Sequence, residues 1–69
     1  MIYYSCQSDG YTFYVKQWND QNFELVATFD NNEVWKYPNN IYRLADCSTH
    51  VRSFLKTKGK RIKWEEYTP

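Results

Sequence analysis

The sequence is poor in nearly everything that staples a short chain. Its 69 residues include two cysteines (Cys6 and Cys47), two glycines, two prolines and one histidine. Two thiols allow a single bridge, too few for the disulfide framework of a secreted mini-protein. Both are therefore expected to be buried free thiols in a reducing compartment. A structural zinc needs about four ligands at suitable spacing. Cys6, Cys47 and His50 contain no close cysteine pair, so no metal site is expected, and no cofactor motif is present. No apolar run approaches the roughly 20 residues that span a bilayer. The stretch from Met1 to Ser5 has neither the basic nor the apolar region of a signal peptide. The cytoplasm is the default location, and no membrane partner is expected.

The chain is also short of material for a core. A single domain of 69 residues lies near the lower limit of unaided stability. With disulfides and metals set aside, a homo-oligomer is the expected supplement. Aromatics are what the chain has in excess: seven Tyr, four Phe and three Trp, a fifth of all residues. Large rings bury much area at little rotamer cost and favour sheets. They also offer stacking faces to bases, although core building should claim most of them.

Catalytic chemistry is thin. Cys47 and Ser48 lie near His50, which a helix would bring close to Cys47, but an orienting third group is missing. Glu65 and Glu66 are neighbours, and on a strand they would point to opposite faces. No enzyme is expected, and no catalytic residue is assigned.

Turn chemistry divides the first half. Asp9-Gly10 is a tight-hairpin pair, Asn19-Asp20-Gln21-Asn22 is a polar turn cluster, and Asp30-Asn31-Asn32 makes a third turn. Between them lie four strand-like segments: Ile2–Cys6, Tyr11–Trp18, Phe23–Phe29 and Glu33–Tyr37. In the third, Phe23, Leu25, Ala27 and Phe29 alternate with Glu24, Val26 and Thr28. Pro38-Asn39-Asn40 ends this meander. The apolar spacing then turns helical, through Ile41, Leu44, Ala45, Val51, Phe54 and Leu55. Asp46-Cys47-Ser48-Thr49 is poor helix material, which favours two short helices with a break near 46–49, the second stopped by Gly59. Arg61–Tyr67 has the composition of a strand returning to the sheet. The expectation is a single α+β domain over residues 1–69: an antiparallel β-meander of three to five strands, with one or two short helices in the second half.

The small net charge hides a division. Residues 1–35 carry five acids and one base, Lys16, whereas residues 36–63 carry eight bases and one acid, Asp46. Six of those bases, and no acid, fall between Val51 and Lys63. Like charges at that density need an acidic partner or full solvation. A phosphate-bearing ligand, an acidic protein surface or the chain's own acidic half would serve. The candidate ligands for phosphate are Arg43, Arg52, Lys56, Lys58, Lys60, Arg61 and Lys63. Tyr42 and Trp64 are placed to stack on a base, and Gly59 sits in a turn whose amides suit an anion. The Gly-x-x-x-x-Gly-Lys-Ser/Thr pattern of nucleotide hydrolases is missing.

From about Phe23 to Tyr67 the order of features resembles the KTSC domain, a small module found alone and appended to lysyl-tRNA synthetases. The matching segments are Leu25–Phe29, Asp30-Asn31-Asn32, Val34-Trp35-Lys36-Tyr37, Pro38–Leu44, Ser48–Phe54 and Lys58-Gly59-Lys60-Arg61 before Trp64. Asn32 stands where the family usually has glycine, and Ser48-Thr49-His50-Val51 lacks the glycine often seen there. The resemblance implies an α+β fold and a nucleic-acid-associated setting, and it assigns no site residues. Two functional readings follow. One is a non-enzymatic module binding a nucleotide or nucleic acid. The other is a protein–protein inhibitor, of the small kind that phages encode, docking on an acidic or nucleic-acid-binding surface.

Overall fold

Two of the three turns need backbone that ordinary residues avoid, and the sequence supplies residues that tolerate it. Asp9 and Gly10 have φ of 54° and 83° and join Ser8 to its cross-strand partner Tyr11, as a two-residue hairpin requires. Asp30 and Asn31, at 53° and 64°, do the same between Phe29 and Asn32. Aspartate and asparagine are the non-glycine residues that visit this region routinely. At the middle turn Asn19 Oδ1 accepts a 3.1 Å bond from the Gln21 amide.

The computed structural model describes residues 1–69. Its elements are β1 (Ile2–Ser8), β2 (Tyr11–Asn19), β3 (Asn22–Phe29), β4 (Asn32–Lys36), α1 (Leu44–Leu55) and β5 (Glu65–Tyr67). They form one antiparallel sheet in the order β4-β3-β2-β1-β5, with the last strand returning to pair with the first. The expected α+β meander is present. The returning strand is shorter than expected, since residues 61–64 stay outside the ladder.

Alternation decides which side of the sheet is covered. Cys6, Phe13, Val15, Phe23, Leu25 and Ala27 face the helix and are buried. Phe29 continues the same register but is 49 % exposed at the sheet's corner. The connector after β4 is tacked back onto β3 by mutual Phe23–Ile41 bonds of 2.9 and 3.3 Å, which buries Ile41. From the helix come Cys47 and Val51, both fully buried. Phe54 docks among Trp35, Tyr11 and Phe13, with ring centroids 5.0, 5.1 and 5.7 Å away. Aromatic pairs at this separation stabilise beyond their area burial.

The helix runs unbroken through residues 46–49, so the break favoured by propensity does not occur. Cys47 lies on the buried face, four residues before Val51, and that packing overrides weak local preference. Asp46 falls in the first turn, where a carboxylate complements the helix dipole, and it pairs with Arg43 at 3.2 Å. Gly59 is not the stop either. Lys56 closes the helix with φ of 54°, its amide directed at the carbonyls of Arg52 and Ser53, while Gly59 lies beyond in the loop. A lysine in the left-handed region costs on the order of 1 kcal/mol against its alternatives. Lys56→Gly is therefore expected to stabilise the fold by about 1 kcal/mol, read as a raised midpoint with unchanged slope in urea unfolding.

Candidate anion-binding site

The segment from Lys56 to Trp64 has to travel from the end of α1 back to the outer edge of β1. Its backbone is largely free: beyond the helix cap, with Thr57 N–H bonded to Arg52 O at 3.0 Å, no amide from Lys58 to Trp64 makes a backbone hydrogen bond outside the sheet. Two side-chain bonds hold the middle of this strap at Lys60. Arg52 Nη1 donates to Lys60 O at 3.3 Å, and Lys60 Nζ donates to Asp9 Oδ2 at 3.1 Å.

These contacts sort the basic residues. Arg43 is spent on Asp46 at the opposite end of the helix, and Lys60 on Asp9. The ammonium hydrogen bond to Lys60, then the Ser8 hydroxyl, holds the Asp9 carboxyl below its ordinary range. Arg52, Lys56, Lys58, Arg61 and Lys63 have no carboxylate partner. Three of these five meet in one place. Arg52, Lys56 and Lys58 line a groove of about 510 Å³ with the hydroxyl residues Thr49, Ser53 and Thr57, and with Gly59. Neither a carboxylate nor an apolar side chain lines it. The Arg52 guanidinium is held over it by Lys60 O and Thr49 Oγ1.

Bases beside a helix C-terminus complement the dipole, and that alone gives an ordinary reason for them. The magnitudes separate the two explanations. The dipole is worth roughly half a charge, and two of the terminal carbonyls are already bonded by the Lys56 amide. Three cations exceed that need by more than two charges.

Arg61 and Lys63 lie elsewhere, on a second groove of about 400 Å³ that the strap forms with Cys6, Gln7 and Ser8. Glu65 also lines it, so its charge is mixed. Neither expected stacking ring lines the groove of Arg52, Lys56 and Lys58, although Trp64 lines a further groove with Arg61, Lys63, Ile62 and Leu44. Trp64 is half-buried against the core and donates its indole N–H to Ser48 Oγ at 2.8 Å. Tyr42 is 63 % exposed, but it precedes α1, at the end away from the first groove. His50 stacks on Tyr37 with ring centroids 3.9 Å apart, while Cys47 points into the core. No three His, Cys, Asp or Glu side chains gather as a metal site would need. The strap's anchors were invisible in sequence because Asp9 and Lys60 are 51 residues apart.

No protein-family model matches this chain, and neither a curated protein nor a solved structure does. No helix is long and apolar enough to cross a membrane.

Both cysteines are free and buried. Burial pushes the Cys6 thiol up to about 11 and the Cys47 thiol up to about 12, the latter helped by Asp46. A folded pKa above the unfolded one means the thiols favour the native state fully below pH 9. That contribution is lost as pH climbs from about 9 towards 11–12. Both thiols are expected to be silent to an aromatic disulfide reagent at neutral pH, and both to react at once in denaturant.

Proposed function

We propose that this protein is a non-enzymatic module that binds a phosphate-bearing partner, with the groove at the end of α1 as its principal contact. The observation that carries the reading is the lining itself: Arg52, Lys56 and Lys58 with three hydroxyl residues and no carboxylate. Charge-assisted bonds from such groups are the strong ones for phosphate oxygens.

The missing aromatic narrows the partner. Tyr42 and Lys56 are separated by the length of α1, roughly 20 Å at 1.5 Å per residue, too far for one nucleotide to bridge. Trp64 lies with Arg61 and Lys63 and does not line this groove. Recognition is then dominated by phosphate rather than base, which suits a nucleic-acid backbone running from this groove past Arg61 and Lys63. The KTSC-like order of elements points to the same setting.

A second reading, a protein–protein module, has its own support in an exposed apolar corner. Phe29 and Val34 are 49 % and 52 % exposed and flank Tyr11 and Phe54. Aromatic residues of this kind anchor interfaces.

Titrating a single-stranded oligonucleotide, a mononucleotide and inorganic phosphate across a salt series separates these. Three engaged phosphates predict a slope of log affinity against log salt of about −2. Lys58→Glu should weaken oligonucleotide binding about tenfold or more, whereas Arg43→Gln should leave it unchanged. Undetectable or salt-independent binding would overturn the phosphate reading.

A further inference from the structure

The side of the sheet away from the helix carries a pattern that the phosphate groove does not use. The pairing registers define rows across it. One row runs Lys36, Val26, Tyr14, Ser5 and Glu65 through all five strands, with Tyr14 on the central strand β2. The row below it holds Glu24, Lys16, Tyr3 and Tyr67. The row above holds Glu33, Thr28, Thr12 and Gln7. Lys63 lies beyond the paired residues of β5 and lines one groove with Gln7.

Tyr3, Tyr14 and Tyr67 form a cluster on this face, with centroid separations of 5.8 and 6.0 Å. Loss of solvent, then the phenols of Tyr14 and Tyr3, pushes Tyr67 above the ordinary tyrosine range. Around the rings stand Lys16, Lys36, Glu24, Glu33 and Glu65, and none of the five is in an ion pair. Three glutamates make the face a poor platform for phosphates. They suit a partner that offers charges of both signs at matching places.

We propose that this face pairs with the same face of a second copy, about a two-fold axis running along β2. The charges at the two edges of the middle row are self-complementary under that rotation. Lys36 on the β4 edge of one copy meets Glu65 on the β5 edge of the other. Tyr14 meets Tyr14 and Lys16 meets Lys16 on the axis, while Glu24 falls over the neighbouring copy's Tyr3, one strand spacing from Lys16. Each edge contact occurs twice, as an isologous interface requires. Two sheets pack face to face at about 10 Å, near enough for tyrosines to interdigitate and for lysine and glutamate to meet at the rim. The sheet is only about 19 Å wide at ~4.8 Å per strand spacing. That puts the contact at the small end of specific interfaces, so the dimer is concentration-dependent.

The test is sedimentation at low salt, from micromolar to millimolar protein, on the intact chain and three variants. The parent should shift from monomer to dimer. Lys36→Glu or Glu65→Lys alone sets like charges against each other at both rims and should weaken the dimer about tenfold or more. The double variant Lys36→Glu/Glu65→Lys restores opposite charges and should recover it. Both positions are exposed, so the variants retain the fold, as circular dichroism would check. A parent that stays monomeric at millimolar concentration, or a double variant no better than the singles, overturns the proposal. The groove at the end of α1 lies apart from both substitutions, so binding of inorganic phosphate there succeeds or fails independently of the dimer.

Discussion

A single helix has to shield a five-stranded sheet, and it can shield only one side. Nearly every other feature follows from that constraint. The shielded side takes Cys6, Val15, Leu25 and Ala27 of the strands, together with Phe13 and Phe23. Phe54 fixes the helix in place by wedging among Tyr11, Phe13 and Trp35. Once the helix is fixed, its end lies far from the edge of β1 where β5 must pair. Residues 56–64 therefore cross the surface between them, with Ile62 and Trp64 packed against the core and the other residues, all but Gly59 polar, on the solvent side. The basic strap is as much a product of this geometry as of any ligand.

Much of this was legible in the residues. Asp-Gly, Asp-Asn and the asparagine-rich middle turn each name the backbone they adopt, and the alternation of Phe23, Leu25 and Ala27 shows the side they bury. These signals are local. What could not be read was set by contacts between distant residues. Asp46–Thr49 looks like a helix break until Cys47 is seen packed in the core beside Val51. Gly59 looks like the helix stop until Lys56 takes the strained cap three residues earlier. The basic run itself was plain, but its division was not. Lys60 is neutralised by an aspartate on the first hairpin, and Trp64 is turned inward by a serine on the helix.

That division changes what the charge can do. Read as composition, six bases in a short stretch suggest one broad cationic surface. In the fold they separate into a carboxylate-free groove beside the helix end and a mixed-charge groove beside β1. Only the first concentrates unpaired positive charge beside hydroxyl groups, and it has no aromatic neighbour to read a base. Affinity from such a site is electrostatic, and selectivity among sequences is expected to be low.

The tyrosine face and the groove also constrain each other. Pairing the sheets face to face gives layers in the order helix, sheet, sheet, helix, with both helices outermost. The two grooves then point away from one another, which keeps two concentrated positive charges apart. Pairing the acidic meander of one copy with the basic strap of another would instead consume the groove. A short phosphate ligand should bind the face-to-face pair as it binds a single chain, because neither groove is altered. A long polyanion differs: once held at one groove, it is presented to the second at high effective concentration if it can wrap the particle. Coupling between self-association and polyanion length is therefore the signature that both surfaces belong to one function.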